Sequence, residues 1–183
     1  MLSNTQLFAT CRVNQDDART VENIALGIWA SKERYAAVAN AIGCPWYFVA
    51  VVHQMESARN FTRHLHNGDP LTERTRHVPA GRPLVGNPPF TWEESAIDAL
   101  KGQDLAGLSS WPLDLILERF ERYNGLGYRK RGMPSPYLWA GSNHYTKGKF
   151  TADGRFDTEA ISGQIGAAVI LQRLQAKNII KIV

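Results

Sequence analysis

"CPWYFVAVVHQMESARNF", residues 44–61, is the stretch that decides the reading of this chain. From Trp46 to Val52 every side chain is apolar or aromatic. Pro45 stands where a helix can open, because its missing N–H would have no intrahelical partner in the first turn. A helix that is apolar nearly all round belongs in the centre of a domain. This one ends on His53, Gln54 and Glu56. The last carbonyls of a helix carry partial negative charge, and apolar neighbours disfavour ionisation, so both raise a carboxyl pKa. A Glu kept protonated near neutral pH is suited to general acid catalysis. Glu56 is thus the first catalytic candidate; a Glu that merely faces solvent is the plain alternative.

Helices also flank this stretch. Val21, Ile24, Ala25, Ile28 and Trp29 mark one face of a helical pattern from about Ala18 to Ala41, closed by Gly43. Residues 1–16 read as irregular. After Glu56, residues 60–90 carry turn signals and prolines, with Thr62–His66 alternating as in a small β-hairpin. Thr91 and Glu94 form a capping-box pattern, and Gly102 closes that helix. Ser110 and Pro112 open another, with Leu113, Ile116, Leu117 and Phe120 as its buried stripe and Asn124-Gly125 at its end. Residues 126–156 read as loop, and a last helix is expected from about Thr158 to Lys177. The expectation is a mainly α (α+β) single domain over 1–183, with a small β-hairpin after the central buried helix.

A chain of 183 residues can bury a core without staples. No apolar run reaches the roughly 18 residues of a membrane helix, so no membrane span is expected. The N-terminus lacks a basic region followed by an apolar one; synthesis in the cytoplasm without a signal peptide is expected. The net charge of +4 favours acidic partners such as wall polymer. The basic residues are spread along the chain, so nucleic acid is not expected as a partner. Cys11 and Cys44 lack metal or redox spacing and read as free thiols.

Two motifs connect the chain to a family. Glu56-Ser57, a polar loop with Asn60-Phe61 and a β element resemble the lysozyme superfamily. "RYNGLGYR", with Tyr123, Asn124 and Gly125 at a helix end, resembles the Ala-Tyr-Asn-Ala-Gly signature of lytic transglycosylases and goose-type lysozymes. "SPYLWAGSNHY" is similar to the family's later tyrosine elements, which supplies Tyr137 and Tyr145. The match spans roughly residues 45–145. It departs from the family in two places. "HLHNGDPLTERTRHVPAGRP" replaces the Gly-Leu-Met-Gln segment, and Arg122 precedes Tyr123 where the family has Ala. Such departures suit a divergent, phage-type endolysin. The resemblance implies a glycosidase that cleaves the β-1,4 bond between N-acetylmuramic acid and N-acetylglucosamine, either as a lysozyme or as a lytic transglycosylase. It would reach the wall after release or delivery. The expected partner is the peptidoglycan glycan strand, acted on by a monomer without a cofactor. A chitinase- or chitosanase-like glycosidase and a non-enzymatic wall-binding module are the alternatives.

The second carboxylate candidate is Asp69, in the turn "NGDPL", where it would hold water or support an oxocarbenium ion. Asn-Gly-Asp-Pro is equally good turn chemistry. Thr72 and Thr75 could hold a water on the same ribbon. His53 and His66 are expected to line the site, and Tyr123 and Asn124 to shape it. Among the loop aromatics Tyr128, Tyr137 and Trp139 are the sugar-stacking candidates. His64-x-His66 and His53-x-x-Glu56 raise zinc, with His77 as a further imidazole, but no HExxH occurs and no metal is expected.

Overall fold

The computed structural model describes residues 2–103, 105, 108 and 110–182. Packing divides the chain into two compact units. One is Ile28–Trp111; the other combines Met1–Gly27 with Pro112–Val183. Among the described residues the secondary structure is mainly helical with one small antiparallel sheet.

In the unit Ile28–Trp111, α3 (Lys32–Ile42), α4 (Trp46–Ser57) and α5 (Trp92–Lys101) form the frame, with α3 packed against both others. Gly43 ends α3 in the left-handed conformation, which glycine adopts without steric cost. Pro45 is the N-cap of α4 rather than its first helical residue. Phe48, Val49, Ala50, Val51 and Val52 have no exposed surface. Burying each of the larger side chains contributes roughly 1.5–3 kcal/mol. Thr91 and Glu94 close the expected capping box at the start of α5. No single helix among the described residues is long and apolar enough to cross a membrane.

The expected hairpin after α4 is reduced to one bridge, Arg63 to Pro70. Pro70 has no N–H to extend a ladder, and further prolines at 79, 83, 88 and 89 interrupt the rest of the segment. Turns replace strands: the His64 amide donates to the Asp69 carbonyl at 2.7 Å, and the Gly68 amide to the His64 carbonyl at 2.9 Å.

The other unit contains α1 (Asn4–Ala9), α6 (Leu113–Asn124), α7 (Gly127–Lys130), α8 (Pro136–Trp139) and α9 (Ala167–Ala176). The N-terminus is not irregular, because Ser3 and Gln6 build a capping box for α1. The helical pattern from Ala18 breaks at Ser31, so α2 (Ala18–Ala30) and α3 are separate. Val21, Ile24, Ala25 and Ile28 are buried as expected, whereas Trp29 is 47 % exposed. Pro112 caps α6, and Ile116, Leu117 and Phe120 are its buried stripe. The sheet lies in the stretch expected to be loop: β1 (Lys149–Ala152) pairs with β2 (Arg155–Asp157). The last helix starts at Ala167, nine residues later than Thr158. The preceding chain is held in a turn by the Asp157 carboxylate, which accepts from the amides of Glu159 and Ala160.

Candidate functional site

Glu56 occupies the last turn of α4, but it is exposed, while His53 and Met55 on the same turn are buried. The burial expected of Glu56 is therefore not found. The last turn is buried on the side of His53 and Met55 and open on the side of Glu56. Beyond it the chain turns sharply. Ala58 and Arg59 have φ of 49° and 62°, two consecutive non-glycine residues in the left-handed region. Such residues cost of order 1–3 kcal/mol each and persist where the surroundings fix them. The surroundings here are identifiable. The Ala58 amide donates to the Gln54 carbonyl at 3.1 Å, and the Arg59 amide to the His53 carbonyl at 3.2 Å. The Ser57 hydroxyl also donates to the His53 carbonyl, at 3.3 Å.

His53 was expected to meet substrate; it is fully buried instead. Its Nδ1 lies 3.2 Å from the Tyr35 hydroxyl. Its ring centroid is 4.4 Å from that of Trp92 and 4.7 Å from that of Phe61. Arg34 stacks on Phe61 at 3.9 Å and binds Glu93 through two nitrogens. Burial pushes the His53 pKa down to about 4. The Asn60 backbone favours the protonated ring, but Nε2 does not reach hydrogen-bond geometry with it.

Asp69 is fastened within its own loop. Its Oδ2 accepts from the amides of Arg76 (2.8 Å) and His77 (3.0 Å) and from Asn67 Nδ2 (3.1 Å). Its Oδ1 lies 2.6 Å from His77 Nδ1. The His77 amide and ring, with the Arg76 amide, hold the carboxyl well below the usual carboxylate range. Both oxygens are thus engaged within the loop, where the sequence reading expected them to face a cleft. Thr75 is likewise structural: it is buried, donates to the Pro79 carbonyl at 2.5 Å and accepts from the Arg82 amide at 2.9 Å. Thr72 is exposed.

His66 does not line an open cleft. Its side chain is buried, with Nε2 2.8 Å from Asp98 Oδ2, and Arg82 Nε binds the same oxygen at 2.8 Å. Burial lowers the His66 pKa against the opposing pull of Asp98. Ser95 joins His66 to His64. His64 Nε2 is 2.8 Å from the Glu73 carbonyl, so that nitrogen carries hydrogen. With the hydrogen on Nε2, Nδ1 is placed to accept from the Ser95 hydroxyl at 2.8 Å. That hydroxyl has no second proton for His66 Nδ1, which stands off at 3.5 Å. This relay ties residues 64–82 to α5. The sequence signal for it was Ser95 and Asp98, three apart on a helix whose neighbouring positions Ala96 and Leu100 are buried.

The remaining predicted residues belong to the other unit. Tyr123 is half-buried and Asn124 exposed at the end of α6. Asn124, Gly127, Tyr128 and Phe150–Gly154 line a groove of about 520 Å³. Tyr137 is half-buried. Tyr145 is buried, accepting from the Ser162 amide at 3.1 Å, so it braces a loop and offers no stacking face. Trp139 is fully buried, and Tyr128 is buried with its hydroxyl accepting from the Phe150 amide at 2.9 Å. Neither is a sugar platform. Among the described residues no group of three or more His, Cys, Asp or Glu side chains is arranged to hold a metal ion. Cys11 and Cys44 are free thiols, and burial pushes Cys44 up to about 12.

These features define a mainly helical protein with an exposed Glu on a strained turn at the end of its most apolar helix. Comparison with protein-family models, curated proteins and solved structures found no match.

Proposed function

We propose that the protein is a peptidoglycan-degrading glycosidase with Glu56 as its general acid. The observation that carries this reading is the placement of Glu56. A helix buried from Tyr47 to His53 carries one exposed carboxylic acid in its last turn and is followed by two non-glycine residues in the left-handed region. Strain of that kind concentrates at functional sites. The lysozyme-like motifs around Glu56 and Tyr123-Asn124-Gly125 name the substrate class.

The commitment of Asp69 to its loop favours a route with one carboxyl group. Glu56 gives its proton to the glycosidic oxygen as the bond from that oxygen to C1 breaks. The 6-hydroxyl of the same sugar attacks C1 and its proton passes to the Glu56 carboxylate. The product is a 1,6-anhydro sugar, and Glu56 is protonated again. Attack by water in place of the 6-hydroxyl gives a reducing end and a lysozyme.

Zymography on wall sacculi tests the reading. General acid–base catalysis contributes about 10²–10⁴-fold, so Glu56→Gln is expected to fold normally and lose at least about 10²-fold in lytic rate. Activity within about tenfold of the parent, roughly 1.4 kcal/mol of barrier, overturns it. Mass spectrometry of the digested sacculi separates anhydro from reducing ends. Clearing of chitin or chitosan but not of sacculi moves the assignment to those polymers. Binding without clearing moves it to a wall-binding module.

A further inference from the structure

His53 stands three residues before Glu56 on α4, one helical turn away on the same side. It is fastened at both ends. Its ring is fixed by the Tyr35 hydroxyl on α3, by Trp92 on α5 and by Phe61 on the returning chain. Its carbonyl receives the Arg59 amide and the Ser57 hydroxyl, the groups that close the turn just after Glu56. A turn with two left-handed non-glycine residues relaxes when its anchor is lost. The direction of Glu56 therefore depends on where His53 sits.

We infer that His53 is the positioning residue that aims Glu56, and that protonation of its ring switches the site off in acid. The inference rests on the reading of Glu56 as general acid. The Arg34–Glu93 ion pair largely offsets itself, the Asn60 backbone favours a positive ring without reaching hydrogen-bond geometry with Nε2, and burial and Arg59 oppose one. Arg34 from α3 and Arg59 from the turn both oppose a positive ring. Glu93 from α5 favours one, but its two oxygens are held by Arg34. Tyr35 offers a hydroxyl whose own ionisation burial pushes up, so it supplies no negative charge. A ring that gains a proton in this cage, as it does at about pH 4, is driven towards water. Its backbone carries the carbonyl that holds the Glu56 turn.

The test uses the full chain and soluble peptidoglycan glycan strands, with turnover followed from pH 3 to 8 and the folded fraction by circular dichroism. In the parent, turnover is expected to fall as pH drops through about 4 while the chain remains folded. His53→Asn keeps an acceptor close to the Nδ1 position but cannot titrate there. It is expected to hold the parental rate within about threefold at pH 6 and to lack the acid fall. His53→Leu removes the acceptor and is expected to lower kcat about tenfold or more at unchanged KM, since it touches no substrate. A second readout needs no activity. The amide resonances of Glu56–Arg59 are expected to shift through the His53 titration in the parent, and to lose that component in His53→Asn. An acid limb of turnover identical in the parent and His53→Asn overturns the inference, as does a folded His53→Leu with parental kcat. Where Glu56→Gln is as active as the parent, or the parent is inactive on the strands, the glycosidase reading fails, and the resonances alone decide whether His53 controls the turn.

Discussion

Replacing Gly166 by Ala sets two opposed effects against each other. Gly166 caps α9 with φ −72° and ψ 149°, a conformation open to any residue. On backbone entropy alone, Gly→Ala at such a site stabilises by about 0.4–1 kcal/mol. Sterics act the other way. A Cβ there lies 2.6 Å from Trp139 N and closer still to the Leu138 carbonyl carbon and oxygen, all backbone atoms of α8. Comfortable carbon contacts begin near 3.5 Å, so the start of α9 must retreat by about 1 Å. The retreat strains the 2.8 Å bond from the Gly166 amide to the Ala140 carbonyl. It also disturbs the packing of Val169, Ile170 and Leu171, which have no exposed surface. Overpacking costs about 1–3 kcal/mol, and a lost hydrogen bond about 0.5–1.5 kcal/mol. Less the entropic gain, the expected loss is about 0.5–4 kcal/mol. For a chain of this size that lowers Tm by roughly 1–16 °C. Urea melts followed by circular dichroism, with calorimetry for Tm, measure it. A Gly166→Ala protein as stable as the parent, or more so, refutes the steric argument and with it the close approach of α8 and α9.

Three further predictions concern the relay, the loop clasp and metal. Ser95→Ala leaves the buried Nδ1 of His64 without its donor and is expected to cost about 1–3 kcal/mol in urea melts; a neutral effect would remove the relay from the fold's support. The Asp69 carboxyl is held below its ordinary range, so its contribution is present above the unfolded carboxylate value near 3.9 and is lost as pH falls towards the folded one. Asp69→Asn is therefore expected to flatten the acid side of the Tm-versus-pH curve and to leave the lytic rate near neutral pH within about threefold of the parent. A loss of about 10²-fold there would restore a catalytic role. EDTA is expected to leave lytic activity unchanged, and stoichiometric zinc whose removal abolishes activity would overturn the glycosidase reading.

Helices were legible where a local rule sufficed. The apolar run over Trp46–Val52, the Thr91/Glu94 capping box and the glycine after Ile42 each act within a turn of chain. Boundaries failed where the chain turned inside a continuous pattern. The stripe from Ala18 is interrupted at Ser31, and before α9 the Asp157 carboxylate holds the chain in a turn that the helical pattern does not reveal. The misplaced hairpin shows a different limit. Alternation over Thr62–His66 satisfied the strand pattern, but a ladder needs donors on both sides, and Pro70 has none to give. The strands that do form, Lys149–Ala152 and Arg155–Asp157, are too short for periodicity to reveal them.

The candidate site divides along the same line. Glu56 stood out in the sequence because a carboxyl on an apolar helix would be costly if buried, but the structure leaves its side chain exposed. Asp69, Thr75, His53 and His66 could not be assigned that way, because their roles depend on what the fold brings to them. A turn Asp can face a cleft or collect the amides of its own loop, and the path of residues 70–77 makes it do the second. A histidine near a catalytic Glu can bind a ligand or fill a cage, and only the convergence of Tyr35, Phe61 and Trp92 from three other segments makes it a cage. Buried polar side chains usually find partners, and the Asp69 carboxylate, the Thr75 hydroxyl and His66 Nε2 have found theirs inside the fold. Glu56 and Thr72 stay on the exposed surface of this unit. A substrate ligand expected from residue type alone therefore needs one more condition, that the fold leaves the side chain within reach of solvent, and of the two carboxylates proposed in this unit only Glu56 meets it.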